Sequence, residues 1–226
     1  TKIMSRVKKL EDEKPDTEKE STDDALSKIL MLGAGSQEPE LRTMTLIGDI
    51  SEEISKDILS ALWYLKHSAK TQELANPEDP ECEELIDVVQ PIEIIVSTNG
   101  GNADDMFAIY DAMRYIKEEV EIETFGLGKV MSAGTLILAA GTKGKRKIGR
   151  HCRVMIHSVI GGSVGPMHQL DNEMKEVKAI QEAYIKAICE ETNLTERKLR
   201  SLLKKKVNIY LTAEEAVEHG FADIIV

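Results

Sequence analysis

Cysteine is scarce in this chain of 226 residues, and its spacing suits no chemistry. Cys82, Cys152 and Cys189 are scattered, with no CxxC pair among them. Neither a disulfide framework nor a zinc site is indicated, so they read as reduced and structural. Long apolar runs are missing as well. No window reaches the roughly 18 apolar residues of a membrane span, and the N-terminus has no apolar signal core. The chain therefore reads as soluble, not secreted and not membrane-bound, in a cytoplasmic or cytosol-like compartment. A third absence is positive charge. Lys+Arg 29 against Asp+Glu 40 leaves a formal net charge of −11, which removes the electrostatic case for nucleic acid or anionic lipid as a partner. Finally, Gly100-Gly101 has no Lys-Ser/Thr behind it and no G-x-G-x-x-G in register with a helix start, so it is no phosphate loop. Nothing calls for a cofactor or a metal.

What is present divides at about residue 40. Residues 1–40 interleave charges of both signs with Ser, Thr and Pro15. Such a segment buries too little apolar surface to offset its ordering entropy and is expected to be mobile. Its one apolar patch, Leu26, Ile29, Leu30, Met31 and Leu32, fits a docking segment or a helical turn folded onto the same chain. From residue 41 onward the text alternates strand and helix. Met44–Ile47 reads as a strand, and Ile54, Ile58, Leu59, Leu62, Trp63 and Leu65 form the apolar stripe of a helix. Lys66 to Val89 turns polar and reads as a surface insertion. Ile92–Val96 is a buried strand running into Gly100-Gly101. A helix follows, with Met106, Ile109, Tyr110, Met113 and Ile116 on one face, and then a strand from Val120 to Phe125. Repeated βα units predict an α/β domain with parallel strands and ligands at their carboxyl ends.

Ser132 and His157 are the residues with chemical promise. Ser132 precedes the uncharged run Ala133–Gly141, which reads as a short buried helix, so its hydroxyl lies where helix N–H groups lack partners and the dipole favours an anion. His157 ends the apolar strand Val154-Met155-Ile156, 25 residues on. A serine hydroxyl needs an adjacent base to act as a nucleophile, so each residue gains meaning from the other. Glycines at Gly100-Gly101 permit close backbone approach to a reacting group. Further on, Met167–Glu190 reads as a long helix with Leu170, Met174, Val177, Ile180 and Tyr184 at helical spacing. A shorter helix follows over Glu196–Leu203, then the basic run Lys204-Lys205-Lys206, a solvated face. Thr212 and Glu215 make a capping box, and Gly220 closes that last helix.

The motifs Ser97-Thr-Asn-Gly-Gly, Met131-Ser-Ala-Gly, Gly141-Thr-Lys-Gly-Lys-Arg, Arg153-Val-Met-Ile-His157, Gly161-Gly162 and Leu211-Thr-Ala-Glu-Glu-Ala come in this order. In that order the chain resembles the family of Clp protease proteolytic subunits, ClpP, from about Arg42 to the C-terminus. The resemblance implies an α/β domain of the ClpP/crotonase fold with a protruding handle region at about 158–190. It implies a serine endopeptidase acting on unfolded polypeptides inside a homo-oligomer of two stacked heptameric rings, with an AAA+ unfoldase as partner. Ser132 matches the family's nucleophile and His157 its general base. Gly101 and Ala133 match the oxyanion-hole donors, and Gly161 and Gly162 lie in the segment that pairs with substrate. The departure is Asn208, where the family places an aspartate. Asparagine can orient an imidazole but brings no charge, and in a Ser-His-Asp enzyme of another fold that replacement lowers kcat about 10⁴-fold. Asp171 and Asp223 are the acids that could stand in. Asn208 keeps open a second reading, a catalytically weak or inactive ring subunit, while an acyl-CoA enzyme on the same fold fits the motifs poorly. The insertion at 66–89, two extra residues before Gly128 and the long N-terminal segment also depart from the family pattern.

Overall fold

Strand β5, Ile122–Met131, is the longest strand and the one on which the sheet is built. The computed structural model describes residues 41–79, 83–205 and 207–226. The readings made of the segment 1–40, of Cys82 and of Lys206 lie outside the described residues. In the body Arg42–Val226, the other elements in chain order are β1 (Thr43–Ile47), α1 (Glu52–His67), β2 (Lys70–Leu74), β3 (Leu85–Val89), β4 (Ile92–Thr98), α2 (Ala103–Lys117), α3 (Ala133–Ala139), β6 (Arg146–Ile148), β7 (Arg153–Ile156), α4 (Met167–Glu191), α5 (Glu196–Leu203), β8 (Ile209–Leu211), α6 (Ala213–Glu218) and β9 (Ile224–Ile225).

A seven-stranded sheet runs in the order β1-β4-β5-β6-β9, with β7 paired to β5 and β8 to β7. Its pairings are parallel except for β7 with β8, which is antiparallel. Strand β5 spans more than one neighbour because its first half pairs β6, Thr124 to Arg146, and its last residues pair β7, Met131 to Met155. Against β4 the register slips: Val96 faces Gly126 while Thr98 faces Val130. The surplus residues bend β5 away from β6 and toward β7. The strand expected to stop at Phe125 therefore runs on to Met131, and Gly126-Leu127-Gly128 lies inside it.

Helices α1 and α2 cover the sheet through the faces that the sequence periodicity marks. Ile58, Leu62 and Leu65 are buried from α1, and Met106, Ile109, Tyr110, Met113 and Ile116 from α2. Trp63, expected in the apolar stripe of α1, instead lies on the outside, ring to ring with Tyr115 of α2 at 5.4 Å. The polar stretch after α1 is not a plain loop. β2 and β3 form an antiparallel hairpin in a two-stranded sheet of its own. Helix α4 departs from the reading in another way. Its buried residues begin at Tyr184, so the N-terminal half carries apolar side chains in the open, Met174 being 55% exposed. Among the described residues no helix is long and apolar enough to cross a membrane.

Candidate active site

Ser132 follows directly on Met131, the last residue of β5, and His157 follows Ile156, the last residue of β7. Because Met131 and Met155 are register partners, the two side chains leave adjacent parallel strands at the same carboxyl edge. Ser132 Oγ lies 2.7 Å from His157 Nε2. Burial lowers the pKa of the His157 imidazole below its ordinary value, which favours the uncharged ring near neutral pH, the form able to accept a proton.

Ser132 is the one non-glycine residue with positive φ among the described residues, at φ 52° and ψ −122°. This conformation costs about 1–3 kcal/mol and survives only where its surroundings determine it. Here the Ser132 N–H donates to Met155 O at 2.7 Å, and the Ser132 carbonyl accepts from Thr135 N–H at 3.0 Å and from Thr135 Oγ1 at 2.7 Å. The sharp turn from strand to helix lifts the hydroxyl out of the backbone and leaves the Ala133 N–H in the first turn of α3, with no acceptor inside that helix.

The glycine pair comes from the carboxyl end of β4. Thr98, fully buried, accepts from the Gly100 N–H at 2.9 Å and fixes the turn. A Cβ on Gly100 would stand 2.6 Å from Ser132 Cβ, so only glycine allows the turn to reach the serine. Ile50 N–H donates to Gly100 O at 2.8 Å, and Asn102 N–H donates to Ile50 O at 2.9 Å. Backbone groups alternate in direction along an extended segment, so the Gly101 N–H points away from Ile50. A Cβ at Gly101 would lie 2.1 Å from Ile50 O. The Asn102 side chain then caps α2, accepting from Asp104 N–H at 2.7 Å and Asp105 N–H at 3.2 Å.

Gly101, Ser132, Ala133 and His157 together line a cavity of about 360 Å³. Its remaining wall is mostly apolar, with Met106, Ile160, Val177, Ile180 and Tyr184. Gly161 and Gly162 are exposed and outside that lining, whereas Val159 and Ile160 from the same segment border it. The segment forms no strand in the isolated chain. Gln181 holds it against α4, its Oε1 accepting from Val159 N–H at 2.7 Å.

Asn208 is exposed beside a second, smaller cavity of about 250 Å³ that it shares with His157. Among the described residues no hydrogen bond joins the two side chains. The two acids that could stand in lie elsewhere. Asp171 is exposed on α4. Asp223 is engaged by Arg146, accepting from its Nε at 2.8 Å and Nη2 at 2.6 Å, and from the Gly144 N–H at 2.7 Å. Burial pulls the Asp223 carboxyl upward, but Arg146 and those amides outweigh it and hold the group below its ordinary value. No group of three or more His, Cys, Asp or Glu among the described residues stands where it could hold a metal ion.

Two residues next to the site carried no sign of their role in the sequence reading. Thr135 was one member of an apolar run and Tyr184 one member of an apolar stripe. The available signal was their hydroxyls, since a buried O–H must find a partner. They find each other, at 2.9 Å.

Comparison with known proteins agrees with this architecture. The family model described as Clp protease matches residues 83–226. The chain is 33% identical over 141 residues to the ATP-dependent Clp protease proteolytic subunit 2 of Prochlorococcus marinus (strain NATL2A), covering 62% of this chain and 68% of that protein. With that match extending over well more than half of its length, this chain belongs to the Clp protease family, a family of peptidases.

Proposed function

We propose that the chain is a serine endopeptidase subunit that hydrolyses peptide bonds of unfolded polypeptides by acyl transfer. The observation that carries this is the 2.7 Å contact between Ser132 Oγ and His157 Nε2 at the rim of the cavity. His157 takes the proton as Ser132 Oγ attacks the scissile carbonyl, and the Gly101 and Ala133 N–H groups receive the oxyanion. The imidazolium then protonates the departing amine. Water repeats the sequence to release the acid and regenerate the serine. An extended substrate lies along the segment with Gly161 and Gly162, and the mostly apolar wall takes one of its side chains. Asn208 stands third, as a polar group beside the imidazole with no charge to lend. The membership of the family supports stacked heptameric rings of this subunit, fed by an ATP-driven unfoldase.

Labelling with a fluorophosphonate and hydrolysis of a small fluorogenic peptide test the assignment. Ser132→Ala should abolish both while leaving the particle size unchanged, and retained hydrolysis would sink it. Asn208 favours a second reading, a ring subunit that has kept its architecture and lost its catalysis. That reading requires wild-type particles that do not label and an Asn208→Asp variant that does.

A further inference from the structure

Helix α3 is seven residues long and buried throughout. Thr135 carries its only side-chain hydroxyl, and that group is fully buried. The Oγ1 touches two oxygens, the Ser132 carbonyl at 2.7 Å and the Tyr184 hydroxyl at 2.9 Å. Two protons are available for these contacts, one on each hydroxyl. The carbonyl can only accept, so both protons are used when Thr135 donates to Ser132 O and Tyr184 donates to Thr135. Tyr184 is the first buried residue of α4 and part of the cavity wall. A hydrogen-bonded line thus runs from α4 to the backbone of Ser132.

The Ser132 carbonyl and the Ala133 N–H belong to one peptide group. That group is planar, with its C=O and N–H pointing in opposite directions. Fixing the carbonyl oxygen therefore fixes where the Ala133 N–H points. Donating to the carbonyl also polarises the peptide and strengthens its N–H as a donor. Resting on the assignment of Ser132 as nucleophile and Ala133 as oxyanion donor, we infer that Tyr184 and Thr135 are positioning residues that aim the Ala133 N–H at the developing oxyanion. Neither touches the reacting atoms. Their contribution belongs to the transition state, where the oxyanion exists, and not to the binding of substrate.

Tyr184→Phe and Thr135→Val, each in the full assembled chain, remove one link apiece. Loss of a whole oxyanion donor costs roughly 10²–10³ in kcat, so misaiming one should lower kcat about tenfold. KM should stay within about twofold. Affinity for a peptide boronate, which mimics the tetrahedral anion, should fall in parallel with kcat/KM. Because both changes cut the same line, the double variant should be scarcely slower than either single one, and Thr135→Ser should restore the rate. Wild-type kcat in both folded single variants overturns the inference, as does a raised KM at unchanged kcat, which would mark a mere wall of the cavity. The same outcomes leave the nucleophile standing if wild type labels and Ser132→Ala does not. Wild-type protein that fails to label overturns the nucleophile and this inference together.

Discussion

At the scale of single residues, the proposed chemistry turns on the His157 imidazole, to which no carboxylate is hydrogen-bonded among the described residues. Burial favours the neutral ring, so the His157 ionisation lies below the ordinary 6.5. Since the neutral form is the base, kcat/KM should rise with pH along a limb whose midpoint is below that value, and be flat above it. Placing a carboxylate at position 208 reverses part of this shift, because a negative charge nearby stabilises the imidazolium. Asn208→Asp should therefore move the midpoint upward and raise the plateau by about tenfold or more, given the about 10⁴-fold effect of the reverse change in an aligned triad. Paired pH profiles of peptide hydrolysis check both, and an unmoved midpoint would separate position 208 from the histidine. In the sequence Ser132 was marked as the residue before a short uncharged helix and His157 as the residue ending an apolar strand, and the parallel-strand pattern put both at one edge of the sheet. Their contact distance was not, since it depends on the twist of Ser132 into positive φ. The relation of Asn208 to His157 was also hidden. It is set by how α5 hands the chain to β8, which is a matter of packing and not of spacing.

Elements are held to one another by buried polar ties as well as by the apolar core. Arg146 on β6 is 3% exposed and donates from Nη1 to Ala139 O at the end of α3, at 3.1 Å, and to Glu191 O at the end of α4, at 2.7 Å. Asp223, just before β9, neutralises it. Asp223→Asn leaves the guanidinium buried with less compensation, so it should lower unfolding free energy by about 2 kcal/mol, a value discounted because the carboxylate is partly exposed. Its folded-state pKa is depressed, so the stability it contributes is present above the unfolded value of about 3.8 and is lost as pH falls through the lower folded one. The wild-type denaturation curve should consequently weaken below about pH 4 more than that of the variant. Fluorophosphonate labelling at neutral pH should be equal in the two, which also separates Asp223 from His157. Local signals were enough for α6, whose Thr212 and Glu215 do form the reciprocal capping box. They were not enough for β6 and β8, three residues each. Nor did they mark the β2–β3 hairpin, where Leu85–Val89 lies in a charged surrounding and pairs with Lys70–Leu74.

For the whole molecule, the row of apolar residues on α4 asks for a second surface. Leu170, Met174, Val177, Ile180 and Tyr184 keep helical spacing, yet only Tyr184 is buried in the isolated chain. Val177 and Ile180 face the cavity beside Ser132, which accounts for their apolar character. Met174 at 55% and Met167 at 77% exposure are not explained that way. Ile160 at 83% and Val164 at 98% are also exposed, on the segment after His157. Exposed apolar residues close to the cavity that Ser132 lines mark an interaction surface. Since the chain belongs to a family that generally forms oligomeric rings, we propose a second copy of this chain as the occupant. Met174→Glu puts a carboxylate on that face without touching Ser132, His157 or the Tyr184 line. The variant should keep its helical circular dichroism and show a smaller mass by light scattering. A variant particle of unchanged mass would mean that α4 does not carry the assembly, and that the apolar row serves the substrate alone.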